Sequence, residues 1–300
     1  MTSTLTTYGS VQLITGKKHS KFPYCNSIFI EEAGLIIDPS CNGNILKELH
    51  RSGKIKNVCL THWHEDHFRY LHLLDNCDLW VSEKDAVPLG CIEKFMEWYG
   101  IDGTEGKDLN KIIRHKMESE IHFKARVPDK LLQDGDILEL GSVSIEVIAS
   151  PGHSPGHLSF FFREPKILFL GDYNLDSFGP WTGDPYSDID QCIQTIHRLR
   201  QVPAEILITG HRPTPITDDP SDYWDRYLGA IAKREKKILK FLSKPRSINT
   251  IIDQWIVLGK AKEPIEYFRF GEKAHIKKHL RRLLKQGQIA YQGGYYHCSN

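Results

Sequence analysis

Short apolar segments with strand-like patterns recur through the first two hundred residues, and turns or helix-like stretches separate them. The pattern predicts strands over residues 26–31, 34–38, 57–60, 79–82, 136–140, 143–149, 158–163, 166–170 and 205–209. It predicts helical segments over residues 44–52, 68–74, 108–119 and 188–201. The chain is therefore of the α/β class.

The order of these elements predicts a layered architecture. Two strand-rich parts with helices between them indicate two sheets that pack face to face, with helices on the outside. The segment 87–127 between the two parts is longer and less regular. Segments of that length in a compact domain are commonly lids or substrate-binding elements.

The C-terminal region has a different pattern. A long helix is predicted over residues 219–243, and Pro245 ends it because proline cannot continue a helix and restricts the residue before it. We place a domain boundary there, between residues 1–243 and 244–300. Beyond it the pattern predicts helices over 247–258, 264–270 and 272–286, then a hairpin that turns at Gly293-Gly294. This order indicates a winged-helix-like domain.

Composition and cysteine usage suggest a cellular location. No apolar run approaches the roughly 20 residues that span a bilayer, so we expect no membrane association. The first twenty residues lack the basic start and apolar block of a secretory signal. The seven cysteines are scattered and include no CxxC. That usage disfavours disulfides and cysteine zinc sites and favours a reducing compartment, so we expect a cytoplasmic protein.

Charge is distributed unevenly along the chain. The formal net charge is +1, but residues 231–300 contain sixteen Lys and Arg against five Asp and Glu, so this part carries +11 and the remainder −10. The basic positions of the last predicted helix are Lys277, Lys278, Arg281, Arg282 and Lys285. Such a helix can bind phosphate backbones, so nucleic acid is one partner to consider. The preferred interpretation is a solvated basic face on a domain that packs against the sandwich or a second subunit. A homodimer is therefore left open.

The strongest chemical signal is a histidine-rich loop. His62-Trp63-His64-Glu65-Asp66-His67 follows a short apolar strand. Imidazole and carboxylate side chains are ligands of zinc and related ions, and a loop at a strand end can direct several of them to one point. Three further candidates stand after other predicted strands, namely His153, Asp172 and His211. Their number and their equivalent positions make a metal site the preferred interpretation.

These motifs (HWHEDH, SPGHS, GD and GH, in this order) resemble the metallo-β-lactamase superfamily of hydrolases over roughly residues 8–215. The resemblance implies an αββα sandwich with the metals at one edge of the two sheets. It assigns one metal to His62, His64 and His153, and a second to Asp66, His67 and His211, with Asp172 bridging them. It further implies that Asp38 orients a ligand imidazole. His157 is interpreted as structural.

Such a site implies hydrolysis by activated water. Two divalent ions about 3.5–4 Å apart can share a hydroxide that attacks a carbonyl or phosphoryl centre, while Asp66 and Asp172 relay protons. Zinc is favoured, and iron or manganese are alternatives. The preferred function is cleavage of an ester, thioester, lactone or related bond of a small substrate. The alternatives are a ribonuclease or phosphodiesterase, an iron-dependent sulfur dioxygenase, and a nucleic-acid-binding protein with a vestigial site.

Overall fold

The computed structural model of the protein describes residues 4–101 and 107–299, and they form two packed sheets flanked by helices. The first sheet has seven strands that follow one another in chain order: β1 (Leu5–Tyr8), β2 (Val11–Ile14), β3 (Ser27–Ile30), β4 (Leu35–Ile37), β5 (Asn57–Cys59), β6 (Asp78–Ser82) and β7 (Lys130–Leu132). Strands β1 to β4 are antiparallel and β4 to β7 are parallel.

The second sheet is built from five strands of the described chain: β8 (Ile137–Leu140), β9 (Val143–Ala149), β10 (Leu158–Phe162), β11 (Ile167–Phe169) and β12 (Ile206–Ile208). The order across the sheet is β12-β11-β10-β9-β8. Strands β8 to β11 are antiparallel, and β12 runs parallel to β11.

Helices cover the outer faces of both sheets. Those described are α1 (Gly43–Arg51), α2 (Glu83–Ala86), α3 (Ile92–Tyr99), α4 (Lys107–Ser119), α5 (Ile189–Leu199), α6 (Ser221–Phe241), α7 (Ile248–Ile252) and α8 (Ile265–Lys285). A hairpin of β13 (Ile289–Gln292) and β14 (Tyr295–Cys298) ends the described chain. No helix in the described ranges is both long and apolar enough to cross a bilayer.

Alternation along the strands explains the layering. On β10, Leu158 and Phe160 belong to the core between the two sheets, whereas Phe161 belongs to the core under α5 and α6. On β3, Ile28 likewise faces the other sheet and Phe29 faces the helices. Because strand side chains alternate, each sheet buries both faces, which confirms the predicted αββα sandwich.

A separate apolar cluster holds the C-terminal elements together. It includes Ile238 and Leu242 of the α6 end, residues of α7, and Ile276 and Leu280 of α8. The predicted separate helices at 264–270 and 272–286 are wrong, because one helix, α8, runs through Gly271. A glycine inside a helix costs only about 1 kcal/mol relative to alanine, which the packing of the apolar face outweighs.

Several other predicted elements differ from the structure. The segment 68–74 forms only a 3-10 turn at Leu71–Leu73. Its apolar residues have helix-like spacing because Phe68, Leu71 and Leu74 of this loop are buried in the core. Of the predicted helix at 247–258, only α7 is helical. Strands β1, β2 and β7 and helix α3 were not predicted. The hairpin at the C-terminal end was predicted and is present.

Gly152 provides a test of how tightly the loop after β9 is packed. Its φ is +127°, and a Cβ there would lie 2.4 Å from the backbone nitrogen of Cys192. We expect Gly152→Ala to lower the free energy of unfolding by more than the roughly 1–3 kcal/mol that an unfavourable backbone conformation costs, because α5 must also shift. Urea unfolding followed by circular dichroism measures the change.

The matched control is Gly135→Ala, since Gly135 has φ +83° and open space around it. It carries the conformational cost without the steric contact. Equal losses of stability in the two variants would contradict the tight packing at Gly152.

Candidate metal centre

The seven predicted ligands lie at one edge of the sandwich because each stands on a loop that follows the C-terminal end of a strand. The His62–His67 loop leaves β5 of the first sheet. His153, Asp172 and His211 follow β9, β11 and β12 of the second sheet. The two sheets pack face to face, so these strand ends meet across the sandwich.

Three imidazoles and one carboxylate converge in a first cluster. His62 Nε2 lies 3.0 Å from His64 Nδ1 and 3.1 Å from His153 Nε2, and the last two atoms are 2.9 Å apart. Asp172 Oδ2 lies 3.4 Å from His153 Nε2. All four side chains are buried, and one ligand atom of each lies within 4.8 Å of the others.

A second cluster adjoins the first through the same aspartate. Asp172 Oδ1 lies 2.9 Å from His67 Nε2 and 3.2 Å from His211 Nε2, and His211 Nε2 lies 3.1 Å from Asp66 Oδ2. Asp66, His67 and His211 again present atoms within 4.8 Å of one another. The two oxygens of Asp172 therefore face different clusters, which is the arrangement expected of a bridging carboxylate.

Contacts on the far side of the rings orient His67 and His62. Asp38 Oδ2 accepts from His67 Nδ1 at 2.8 Å, as the sequence predicted for this aspartate. Thr61 Oγ1 donates to the same oxygen at 2.8 Å, so it accepts from His62 Nδ1 at 2.9 Å. Both rings therefore carry hydrogen on Nδ1 and direct Nε2 into the clusters.

The remaining rings are held by loop residues. His153 Nδ1 donates to the Trp181 carbonyl at 3.2 Å, and His64 Nε2 contacts Asp184 Oδ2 at 3.0 Å. His211 Nδ1 lies 2.7 Å from the Ser20 carbonyl. Carbonyl and carboxylate oxygens only accept, so the outward nitrogen of each ring must be the donor.

The ring nitrogens that face inward show whether these residues fit a metal ion. Lone pairs of neutral rings that approach within 3.1 Å repel each other unless positive charge lies between them. Burial lowers the pKa of His64, but the Asp184 carboxylate outweighs burial and raises that pKa to about 9. The Asp184 carboxylate thus stabilises positive charge on the His64 side of the cluster, and the nitrogen and oxygen donors of the cluster fit divalent ions of the zinc type.

The surroundings lower the pKa values of both His153 and Asp172. Burial, with the nearby His64 ring, lowers the pKa of His153 to about 4. Burial raises the pKa of Asp172, but His211 and His67 outweigh it and hold the value well below its usual range. Asp172 is therefore ionised at neutral pH, which suits the bridging role predicted for it.

Two buried residues behind the loops stabilise them without reaching either cluster. His157 Nε2 accepts from the Asp172 backbone N–H at 3.1 Å, which agrees with the structural interpretation of that histidine. Asp85 accepts from Ser154 Oγ and from the Gly156 N–H at 2.7 Å. Asp85 and Asp184 were not singled out from the sequence, because no motif marks them.

Cys25 lies beside His67 and Asp38 but does not form a further ligand site. Burial raises the pKa of the Cys25 thiol to about 12, so it stays protonated at neutral pH. His67 Nδ1 is already engaged by Asp38.

A cavity of about 460 Å³ opens from the two clusters. His64, Asp66, His153, Asp172 and His211 form one part of its lining. Its other walls are largely apolar and include Phe22, Tyr99, Phe178, Trp181, Leu258, Tyr267, Phe268 and Phe270.

Phe178 and Trp181, in the segment that follows Asp172, line this cavity together with Tyr99. Tyr186 instead packs on Trp98, with ring centroids 4.7 Å apart. The contribution of residues 258–271 was not predicted.

Comparisons with known proteins give the same picture. A sequence model of the family described as "Metallo-beta-lactamase superfamily" matches residues 21–211. The beta-lactamase-like protein 2 homolog of Caenorhabditis elegans is 24% identical over 78% of this chain and 67% of its own length. Acyl-coenzyme A thioesterase MBLAC2 of Homo sapiens is 29% identical over 50% of this chain, and the match spans 54% of that relative. Hydroxyacylglutathione hydrolase GloC of Haemophilus influenzae is 28% identical over 62% of this chain and 84% of its own.

Solved structures share the fold over nearly the whole chain. The crystal structure of a metallo-beta-lactamase family protein from Thermus thermophilus superposes with a TM-score of 0.71. That match covers 97% of this chain and 99% of the other at 20% identity. Because the family model covers more than half of the sequence, the predicted enzyme class is confirmed and the chain belongs to the metallo-β-lactamase superfamily.

Proposed function

We propose that the protein hydrolyses thioesters of small substrates with an apolar acyl group. The observation that carries this proposal is the pair of ligand clusters sharing Asp172, which opens on a cavity with aromatic walls. Two relatives support it, since their names describe an acyl-coenzyme A thioesterase and a hydroxyacylglutathione hydrolase, and both substrates are thioesters.

In this proposal His62, His64 and His153 hold one divalent ion, Asp66, His67 and His211 hold a second, and Asp172 contacts both. The donor set favours zinc, with iron or manganese as alternatives. When bound, such ions supply activated water and stabilise negative charge that develops on the substrate.

The protein's own residues have three tasks in the reaction. The apolar walls bind the acyl group and exclude bulk water from the carbonyl. Asp66 and Asp172 both line the cavity, so their carboxylates can accept the proton that the attacking water releases. The same carboxylates can return a proton to the thiolate sulfur when the carbon–sulfur bond breaks.

The C-terminal region supports a role in the active site rather than in nucleic-acid binding. Lys278 Nζ donates to the backbone carbonyls of Pro185 and Ser187. Arg282 pairs with Asp190 and Glu235 at 2.6 Å. With Lys285, which lies 3.8 Å from Asp190, three of the five basic side chains considered for phosphate binding are thus engaged within the chain.

We also propose that residues 1–243 form the catalytic domain and residues 244–300 a winged-helix-like domain. The apolar cluster around Ile276 supports the second unit, and α7, α8 and the hairpin surround it. A cytoplasmic location is proposed from the seven free cysteines.

Thioester hydrolysis should depend on metal. We expect purified protein to release thiol from benzoyl- and hexanoyl-coenzyme A, to lose this activity after dialysis against a chelator, and to regain it with zinc, manganese or ferrous ions. A thiol-reactive dye measures the rate, and elemental analysis measures the metal content. Cleavage of bis-p-nitrophenyl phosphate or single-stranded RNA without thioester cleavage would favour the phosphodiesterase alternative instead.

Asp172→Asn should remove metal from both clusters, because an amide keeps the shape and loses the charge that the two ions share. We expect metal affinity to fall by more than the roughly 10–100-fold typical of outer contacts, with parallel loss of activity. Competition with a chelating dye measures the affinity.

Glu65→Gln is the matched control for that variant. Glu65 is a buried carboxylate within the same motif, but it pairs with Lys116 at 3.0 Å and belongs to neither cluster. Metal content should stay at the native value. The assignment of Asp172 fails if both variants retain two ions.

Phe268→Ala should weaken binding of large acyl groups, since it removes part of the cavity wall contributed by α8. Burial of a phenyl side chain contributes about 1.5–3 kcal/mol, so KM for a hexanoyl thioester should rise about tenfold or more, while acetyl thioesters change little. Steady-state kinetics on a series of acyl thioesters measures KM for each chain length. Tyr295→Ala, an exposed aromatic of the hairpin outside the cavity, is the control.

A further inference from the structure

The loop between Phe178 and Asp184, called here the 178–184 loop, does two things at once. It supplies the acceptors that orient two predicted ligands, since the Trp181 carbonyl accepts from His153 Nδ1 and Asp184 Oδ2 accepts from His64 Nε2. It also contributes the rings of Phe178 and Trp181 to the cavity wall. The position of this loop therefore controls one of the two ligand clusters.

Arg234 of α6 holds this loop from behind. Its side chain is buried, and its Nη1 and Nη2 donate to the carbonyls of Pro180 and Phe178 at 3.1 and 2.5 Å. Its guanidinium carbon lies 4.4 Å from the centroid of the Phe178 ring. Burial lowers the pKa of Arg234 to about 10, so the group remains charged at neutral pH and makes charge-assisted hydrogen bonds.

Helix α8 supports the same loop from a second direction. His275 is fully buried, its Nδ1 lies 3.2 Å from Thr182 Oγ1, and its ring meets the Trp181 ring edge-on at 4.4 Å. Phe178 also packs against the apolar cluster around Ile276. The loop therefore lies between α6 and α8. Arg234 of α6 makes two hydrogen bonds to its carbonyls, and His275 of α8 contacts Thr182 and Trp181.

The second ligand cluster does not depend on this support. His67 is oriented by Asp38, and His211 by the carbonyls of Ser20 and Tyr24. These acceptors belong to loops of the first sheet, whereas the hydrogen bonds of Arg234 go to the 178–184 loop. A displacement of the 178–184 loop should therefore affect one cluster and spare the other.

We propose that Arg234 is a positioning residue of the metal centre, which fixes the 178–184 loop and through it the orientation of His64 and His153. This inference rests on the proposed metal centre and adds a residue that contacts neither the ions nor the substrate. Arginine suits the task because its planar guanidinium donates to two carbonyls from two nitrogens in fixed directions, whereas the donors of a lysine ammonium share one nitrogen and rotate.

Metal titration of four full-length proteins tests the proposal: native, Arg234→Met, Arg234→Lys and Arg282→Met. Binding of zinc is followed by competition with a chelating dye, and thermal unfolding of the metal-free proteins is measured in parallel. Arg282→Met is the matched control, because it removes a guanidinium from the same helix interface without touching a loop carbonyl.

We expect Arg234→Met to weaken binding of one of the two ions by about tenfold, the lower end of the range for contacts that orient ligands. Arg234→Lys should give a smaller loss. Arg282→Met should bind both ions as the native protein does, even if its melting temperature falls. Should Arg234→Met fail to fold, Arg234→Lys carries the test.

The affected cluster is identified by repeating the titration in two backgrounds. In Asp66→Ala, which retains the cluster of His62, His64 and His153, the effect of Arg234→Met should persist. In His153→Ala, which retains the other cluster, it should disappear. Unchanged affinity in both Arg234 variants, or equal weakening of both ions, overturns the positioning role. Absence of metal binding in the native protein would defeat the proposed function itself.

Discussion

The convergence of five imidazoles and two carboxylates at one buried point is the constraint on which the centre of this protein depends. Five imidazoles turn one nitrogen inward, and each is held in that direction by an acceptor on its outer side. These inward groups need positive charge between them, and the carboxylates of Asp66 and Asp172 increase that need. The rest of the site can be understood as the means of holding this arrangement in place.

The sandwich provides the rigidity that such an arrangement requires. Both sheets bury both faces, so the strands preceding the ligand loops are fixed by packing on each side. Short loops from four strand ends can then hold side chains from positions 62 to 211 at one point. The C-terminal elements add the wall of the cavity and the support of the 178–184 loop.

Local motifs predicted which side chains converge in the two clusters, whereas the residues that support them depend on tertiary contacts. His62, His64, Asp66 and His67 stand in a compact motif after a strand, and His153, Asp172 and His211 take equivalent positions. Asp184 and Arg234 carry no such signal, because their partners are 120 and 54 residues away and meet them only through the loop conformation. The sequence predicted two helices separated at Gly271, because local helix propensity does not include the tertiary packing that keeps α8 continuous.

The shared use of the 178–184 loop has a thermodynamic consequence. A molecule in the cavity would contact the loop whose Trp181 carbonyl and Asp184 carboxylate orient His153 and His64, so occupancy of the cavity and binding of a cation are linked equilibria. If a molecule in the cavity changes the affinity for the cation by some factor, the cation changes the affinity for that molecule by the same factor. Mutations that reshape the cavity wall would therefore also change how firmly a cation is held.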